Sequence, residues 1–296
     1  MDFPMEAAGI AVARALAEDA AGDDVTTRWS VPEDLHCVAE IITREHGVAA
    51  GLPLLEEIYS QLGAEVKVEL VAEEGAAVNP GDRLARLTGQ ARDLITGERT
   101  AVNFLQRLCG IASLTRQYVS AIDDLPVQLL DTRKTAPGLR HLDKYAVKAG
   151  GGSNHRMSLS AMVLLKENHI AAAGGITAAV RSVRRGMTAE GRDVRIEVEV
   201  EDVAGAREAL AAAVDWIMLD NMSPAQTAEV VRLREQLGGE IETRLEASGT
   251  ITLATLRAVA LTGVDAVSVG SITHSAPALD LSMLLAGAPR EGVRDA

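Results

Sequence analysis

The sequence predicts an α/β protein in two parts, a mixed region with an antiparallel sheet followed by a (β/α) barrel. From about residue 127 short β-rich runs alternate with helical ones, the rhythm of a parallel sheet. Those runs are apolar on both faces, as strands buried on both sides must be. Before that point EVKVELVAE (65–73) alternates instead with the period of a half-buried strand. An open doubly wound sheet is the alternative for the second part. No G-x-G-x-x-G follows its first strand, which weakens a dinucleotide reading.

The elements follow in order. Residues 1–20 have the apolar spacing of an amphipathic helix, and their early acids and missing basic segment are not those of a signal peptide. CVAEIITREHGVAAG (37–51) has strand character and LPLLEEIYSQLG (52–63) helical character. EGAAVNPGDRLARLTGQ (74–90) sets an Asn-Pro-Gly-Asp turn between short strands. Residues 92–123 read as one long helical region. Six strands follow: VQLLDT (127–132), AMVLLKEN (161–168), RIEVEVED (195–202), DWIMLDN (215–221), RLEASG (244–249) and DAVSVGSIT (265–273). A seventh is expected near 153–160. Helices at 204–214, 223–238 and 252–263 separate the later ones.

Bulk properties narrow the function. A chain of 296 residues that is 47% hydrophobic builds a large core without metal or disulfides. Cys37 and Cys109 make neither a disulfide framework nor a metal-ligand spacing, which fits a reducing cytoplasm. No apolar run has the length of a membrane span. A net charge of −13 and 2% aromatic residues argue against nucleic-acid binding, which needs a basic surface or stacking platforms.

Within this acidic chain, residues 131–169 hold seven Lys/Arg against three acids, and three of the six histidines, so positive charge is concentrated locally. Solvated ion pairs on a helix face would be the ordinary explanation. Strand ends argue for a pocket instead. The six strands end in Asp131-Thr132-Arg133-Lys134, Lys166-Glu167-Asn168-His169, the Glu197/Glu199 pair, Asp220-Asn221, Glu246-Ala247-Ser248-Gly249 and Val269-Gly270-Ser271. In a barrel those ends meet on the rim that carries the active site. Cations come early, carboxylates in the middle, and small residues with free backbone N–H groups last. That order predicts a phosphate at one end, hydroxyls or a divalent metal in the middle, and further negative groups beside the cations.

The stretch DTRKTAPGLRHLDKYAVKAGGGSNHRMSLSAMVLLKENHI (131–170) resembles the signature of quinolinate phosphoribosyltransferases, also called carboxylating nicotinate-nucleotide pyrophosphorylases. The resemblance runs on through EDAAGDDVTT (18–27), GERTAVNFLQRLCGIAS (97–113), IEVEVED (196–202), IMLDNMSP (217–224), LEASGTI (245–251) and TGVDAVSVGSITHSAPALDLS (262–282), in order along nearly the whole chain. It implies an N-terminal α/β sandwich domain (1–112), an α/β barrel of about seven strands (113–275) and a tail (276–296) packing on the N-terminal domain. The implied reaction converts quinolinate and 5-phosphoribosyl 1-pyrophosphate, with Mg2+, to nicotinate mononucleotide, pyrophosphate and CO2 for NAD synthesis. The implied assembly is a homodimer or higher even oligomer in which Arg99 enters the partner's site.

By the same resemblance, Lys134, Glu199 and Asp220 are the catalytic residues, with Glu199 and Asp220 facing Mg2+ through the substrate. Thr132, Arg133, His155, Arg156 and Lys166 belong with the quinolinate end, Ser248, Gly249 and Gly270 with the 5-phosphate, and His274 near that end. Taken alone, His155 is as well read as a structural histidine, and Lys144 and Lys148 as solvent-facing. Ala161, Glu167 and Thr250 depart from the family pattern. They leave room for a paralogue acting on another anionic heterocycle, or for a phosphosugar-binding protein without activity.

Overall fold

The computed structural model describes residues 2–237 and 242–286. In chain order the elements are α1 (Met5–Glu18), α2 (Val25–Ser30), β1 (His36–Thr43), β2 (Gly47–Val48), α3 (Leu54–Gln61), β3 (Lys67–Leu70), β4 (Ala77–Val78), β5 (Arg83–Gln90) and α4 (Ala91–Ser120). Then come β6 (Gln128–Leu130), α5 (Arg140–Ala149), β7 (Val163–Leu165), α6 (Glu167–Ala173), α7 (Ile176–Glu190), β8 (Ile196–Val200) and α8 (Val203–Ala211). The chain continues with β9 (Trp216–Asp220), α9 (Pro224–Gln236), β10 (Arg244–Ser248), α10 (Leu253–Ala260), β11 (Ala266–Ser268), α11 (Ser271–His274) and β12 (Leu281–Ala286).

These elements form two compact units. The first takes residues up to Arg116, Thr135–Gly151 and the residues from Thr273. Its sheet is antiparallel, in the order β12-β1-β5-β3. Alternation along β5 puts Ala85 and Leu87 inside with Ala39 and Ile41 of β1, and a register shift at Ile41/Ile42 lets the adjacent Leu84 be buried as well. The last described strand, β12, pairs with the first, β1, from Val38 to Thr43; residues 287–296 of the expected tail lie outside the described residues.

Two arginines of α4 tie segment 135–151 to this unit. Arg107 grips the fully buried carboxylate of Asp143 with two bonds of 2.8 and 2.7 Å. Arg116 donates to the Gly150 carbonyl at 2.9 Å. Helix α5 is buried on most sides, among Leu142, Tyr145, Ala146 and Val147, and this corrects the expectation for Lys144, which is 1% exposed. Lys148 is exposed, as expected.

The second unit takes Gln117–Lys134 and Gly152–Ile272. Its six strands are parallel, in the order β6-β11-β10-β9-β8-β7. No seventh strand forms at 153–160; a single parallel bridge joins Leu130 to Ser153. Residues 153–160, Ser-Asn-His-Arg-Met-Ser-Leu-Ser, hold no β-branched residue to sustain a strand. The expected strand 161–168 is also shorter, because Lys166 already caps α6.

Cys37 and Cys109 are both free thiols. Among the described residues no helix is long and apolar enough to cross a membrane.

Candidate active site

The carboxyl ends of the parallel strands surround a cleft of about 550 Å³. Thr132, Arg133 and Lys134 follow β6, Arg156 comes from the loop after the Ser153 bridge, and Lys166 follows β7. Facing them are Glu199 of β8 and Asp220 of β9, with Ser248, Gly249 and Thr250 at the end of β10. A larger hollow of about 590 Å³ lies along α7, lined by Val180, Arg181, Arg184 and Arg185, but no carboxylate meets those cations there. The strand-end cleft is therefore the candidate site, since it alone of the two gathers opposite charges on one rim.

Local geometry explains each placement. The Thr132 hydroxyl accepts the Lys134 N–H at 3.0 Å, turning the chain as it leaves β6. The Lys166 N–H donates to His169 Nδ1 at 3.0 Å, which gives His169 a structural role at the start of α6. The Lys166 ammonium is ion-paired with Glu199. Lys166 is exposed, so the contact sets the position of its ammonium rather than offsetting a burial cost. Register sets Ser248 of β10 directly beside Asp220 of β9. Asn221 adopts φ +53° and its side-chain oxygen accepts the Thr250 N–H at 3.1 Å. Gly249, at φ +119°, runs so close to Asn221 that a Cβ would collide with it. Only glycine fits there.

Beneath the cations lies a buried acidic layer. Asp131, fully buried, accepts the His155 N–H at 2.8 Å and the Asn154 amide at 2.6 Å. His155 Nε2 stands 3.1 Å from Glu197 and 3.4 Å from Glu246, both at most 1% exposed. Burial pushes the His155 imidazole down, but hydrogen bonds and charge from Glu197 and Glu246 outweigh it and push it up to about 10. Its Nδ1 takes the Arg156 N–H at 2.7 Å, an acceptor's place, so the ring proton the carboxylates retain is the one on Nε2. Burial pushes the Glu197 carboxyl up. Burial and the neighbouring Arg133 push the Arg156 guanidinium down.

The cleft thus brings together Thr132, Arg133, Lys134, His155, Arg156, Lys166, Glu199, Asp220, Ser248 and Gly249. Gly270 lies in the same unit, just past β11. Arg99, exposed on α4, and His274, exposed at the end of α11, belong to the other unit. Sequence reasoning left Glu197, Glu246 and Asn221 without a role. The signal for Glu197 was available, because residues two apart on a strand share a face and Glu199 was already assigned to the site.

Comparison with known proteins is specific. The family described as "Quinolinate phosphoribosyl transferase, C-terminal domain" matches residues 111–284, and its N-terminal counterpart matches residues 24–109. The chain is 45% identical over 245 residues to a Synechocystis protein described as a "Probable nicotinate-nucleotide pyrophosphorylase (carboxylating)", covering 83% of this chain and 81% of that one. A Bacillus subtilis protein of the same description is 43% identical over 266 residues, covering 90% and 89%. The structure of the nicotinate-nucleotide pyrophosphorylase from Francisella tularensis superposes with a TM-score of 0.89 at 37% identity, covering 96% of this chain and 98% of the other.

Proposed function

The chain belongs to the quinolinate phosphoribosyltransferase family, and from that premise we propose how its strand-end cleft serves the family's reaction, the conversion of quinolinate and 5-phosphoribosyl 1-pyrophosphate to nicotinate mononucleotide, pyrophosphate and CO2 in NAD biosynthesis. One observation carries the reading: four Lys/Arg cations and three carboxylates, Glu199, Asp220 and at its floor Glu246, line one cleft, with a glycine turn at its other side. Quinolinate is a dianion. Arg133 and Arg156 bind its carboxylates, guanidinium forks being matched to that shape, and Lys166 adds a third positive charge. The 5-phosphate rests on backbone N–H groups around Ser248, Gly249 and Gly270. Lys134 meets the pyrophosphate.

As the bond from C1 to pyrophosphate breaks, positive charge develops on the ribose ring, and Glu199 and Asp220 stabilise it. The quinolinate nitrogen attacks C1 and becomes a pyridinium. The electron pair released from the 2-carboxylate as CO2 leaves flows toward that nitrogen, and ring carbon 2 then takes a proton from solvent. No dedicated base is needed. Lys166 or Arg156 orients the departing carboxylate.

The hard oxygen donors of Glu199 and Asp220 suit Mg2+, which takes one or two carboxylates together with substrate phosphates. Bound there, the ion would neutralise charge on the leaving pyrophosphate. We propose further that the protein works in the cytoplasm as a homodimer or higher even oligomer, with Arg99 completing the quinolinate end of a partner's site. Ala161 and Glu167 are exposed and do not line the cleft, so neither favours the paralogue readings.

The test is turnover with Mg2+, 5-phosphoribosyl 1-pyrophosphate and quinolinate, with nicotinate in parallel. Nicotinate mononucleotide and CO2 in equal amounts, from quinolinate only, are expected. Removing Lys134 or Glu199 as alanine variants should lower kcat/KM by about 100-fold or more, the usual scale for a charge acting in the transition state. Product from nicotinate, or none from quinolinate with the sugar pyrophosphate still bound, would overturn the assignment.

A further inference from the structure

The loop that delivers Arg156 to the cleft has almost no backbone support. Residues 154–162 contain neither helix nor strand; ladder contacts flank them only at the ends, the bridge from Ser153 to Leu130 and the pairing of Val163 with Ile196. A cation meant to meet a carboxylate must nevertheless be held closely, since binding geometry is only as good as the groups that fix it. Side chains do this work. Arg156 Nη1 donates to the Met162 carbonyl at 3.0 Å, inside its own loop. Its N–H donates to His155 Nδ1 at 2.7 Å. The other ring nitrogen of His155 points down between Glu197 of β8 and Glu246 of β10.

Those two glutamates have no ordinary packing reason to exist. Each is at most 1% exposed, and apart from His155 their oxygens meet no hydrogen-bond partner among the described residues. Two carboxylates buried in this way oppose folding, and apolar residues of similar volume would pack at least as well. They also place negative charge under a site that has to attract a dianion. Both features have an explanation if the glutamates act on the loop.

We propose that Glu197 and Glu246 are positioning residues that clamp Nε2 of His155, so that His155, bonded through Nδ1 to the Arg156 amide, holds Arg156 where the substrate dicarboxylate binds. His155 is then a strut between the strands and the loop. The inference rests on the quinolinate reading above and assigns a task to two side chains that reading does not use.

Calorimetry on the full-length protein separates the two. Wild type is titrated first with quinolinate and with 5-phosphoribosyl 1-pyrophosphate; failure to bind either ligand would sink the functional reading and say nothing against the clamp. Glu197→Gln and Glu246→Gln keep the size and one acceptor oxygen but lose the charge. Each should weaken quinolinate binding about tenfold or more, while the sugar pyrophosphate stays within about twofold. In an Arg156→Ala background the same substitutions should change quinolinate binding less than about twofold, because the group they position is gone. Equal losses for both ligands, no loss for quinolinate, or an undiminished loss without Arg156 would each overturn the clamp. A second measurement needs no substitution. In 15N-labelled wild type near neutral pH, His155 should carry a proton on Nε2 that the two carboxylates hold, and a bare Nε2 would overturn the proposal even if neither glutamine variant folds.

Discussion

Strands β1 and β5 bury Ala39, Ile41, Leu84, Ala85 and Leu87, while strands β8 and β10 bury Glu197 and Glu246 to the same depth. The antiparallel sheet spends its interior on apolar surface, each such side chain contributing about 1.5–3 kcal/mol when fully buried. The parallel sheet carries apolar residues too, among them Val198, Ile217, Leu245 and Val267, but toward its carboxyl edge it turns acidic inside. Stability alone explains the first pattern. The second makes sense only beside the cations of the cleft, where buried carboxylates hold a histidine and its loop. Depth of burial is the same in the two sheets; what differs is whether a partner waits for the charge.

Moving a charge from one setting to the other should break the comparison most severely. In Leu87→Glu a carboxylate enters the antiparallel core among apolar neighbours. Burial can raise such a group to pKa 8–9. The loss is then about 4 kcal/mol at neutral pH, taking about 1.36 kcal/mol per unit from the ordinary value of about 4.3. The sign follows from the raised folded pKa: the penalty grows as pH rises above the unfolded value and fades as pH falls below it. Urea unfolding at pH 7 and pH 4 measures it, and an unchanged midpoint at pH 7 would mean that the antiparallel core tolerates charge as the parallel one does.

Asp143 sharpens the comparison, being a buried carboxylate of the first unit that does have a partner. Arg107 binds it with two bonds, and the Ala136 N–H adds a third at 2.9 Å. Arg107→Ala should cost about 2–3 kcal/mol, below the about 3–5 kcal/mol of a fully buried pair because part of the guanidinium already meets water. The effect should appear in the unfolding midpoint. A larger loss than that of Leu87→Glu would reverse the order argued here.

The antiparallel half was readable from alternation and turn residues, since hydropathy decides what its strands bury; EVKVELVAE shrank to Lys67–Leu70 but kept its place. The cleft was readable from strand ends, because a parallel sheet delivers those ends to one edge whatever the helices between them do. The layer beneath it was harder to see. Apart from Glu197, which shares a strand face with Glu199, its residues, Glu246 and Asp131, look in sequence like any polar residue near a strand terminus, and only depth tells a surface carboxylate from one that holds a loop. Lys144 misled for the opposite reason. Its spacing from Lys148 fits an exposed face, yet α5 is enclosed and Lys144 is buried whole. The missing seventh strand was a matter of composition, since residues 153–160 hold no β-branched residue.

The smallest expected effect concerns a carboxylate with a purely local task. Asp24 caps α2 by accepting the Thr27 N–H at 2.9 Å, and it also accepts the Thr96 hydroxyl at 3.0 Å. Hydrogen bonds from Thr27 and Thr96 hold its carboxyl below the ordinary 3.8. Asp24→Ala should cost about 1 kcal/mol, the usual worth of such a cap, and leave quinolinate turnover unaltered. A depressed folded pKa stabilises above the unfolded value, and that stability is lost as pH falls through the folded one. The gap between wild type and variant in urea should therefore be full at pH 7 and narrow below about pH 3.8. A gap that held at low pH would mean that the side chain acts through its shape, whereas Glu197 and Glu246 are argued to act through their charge.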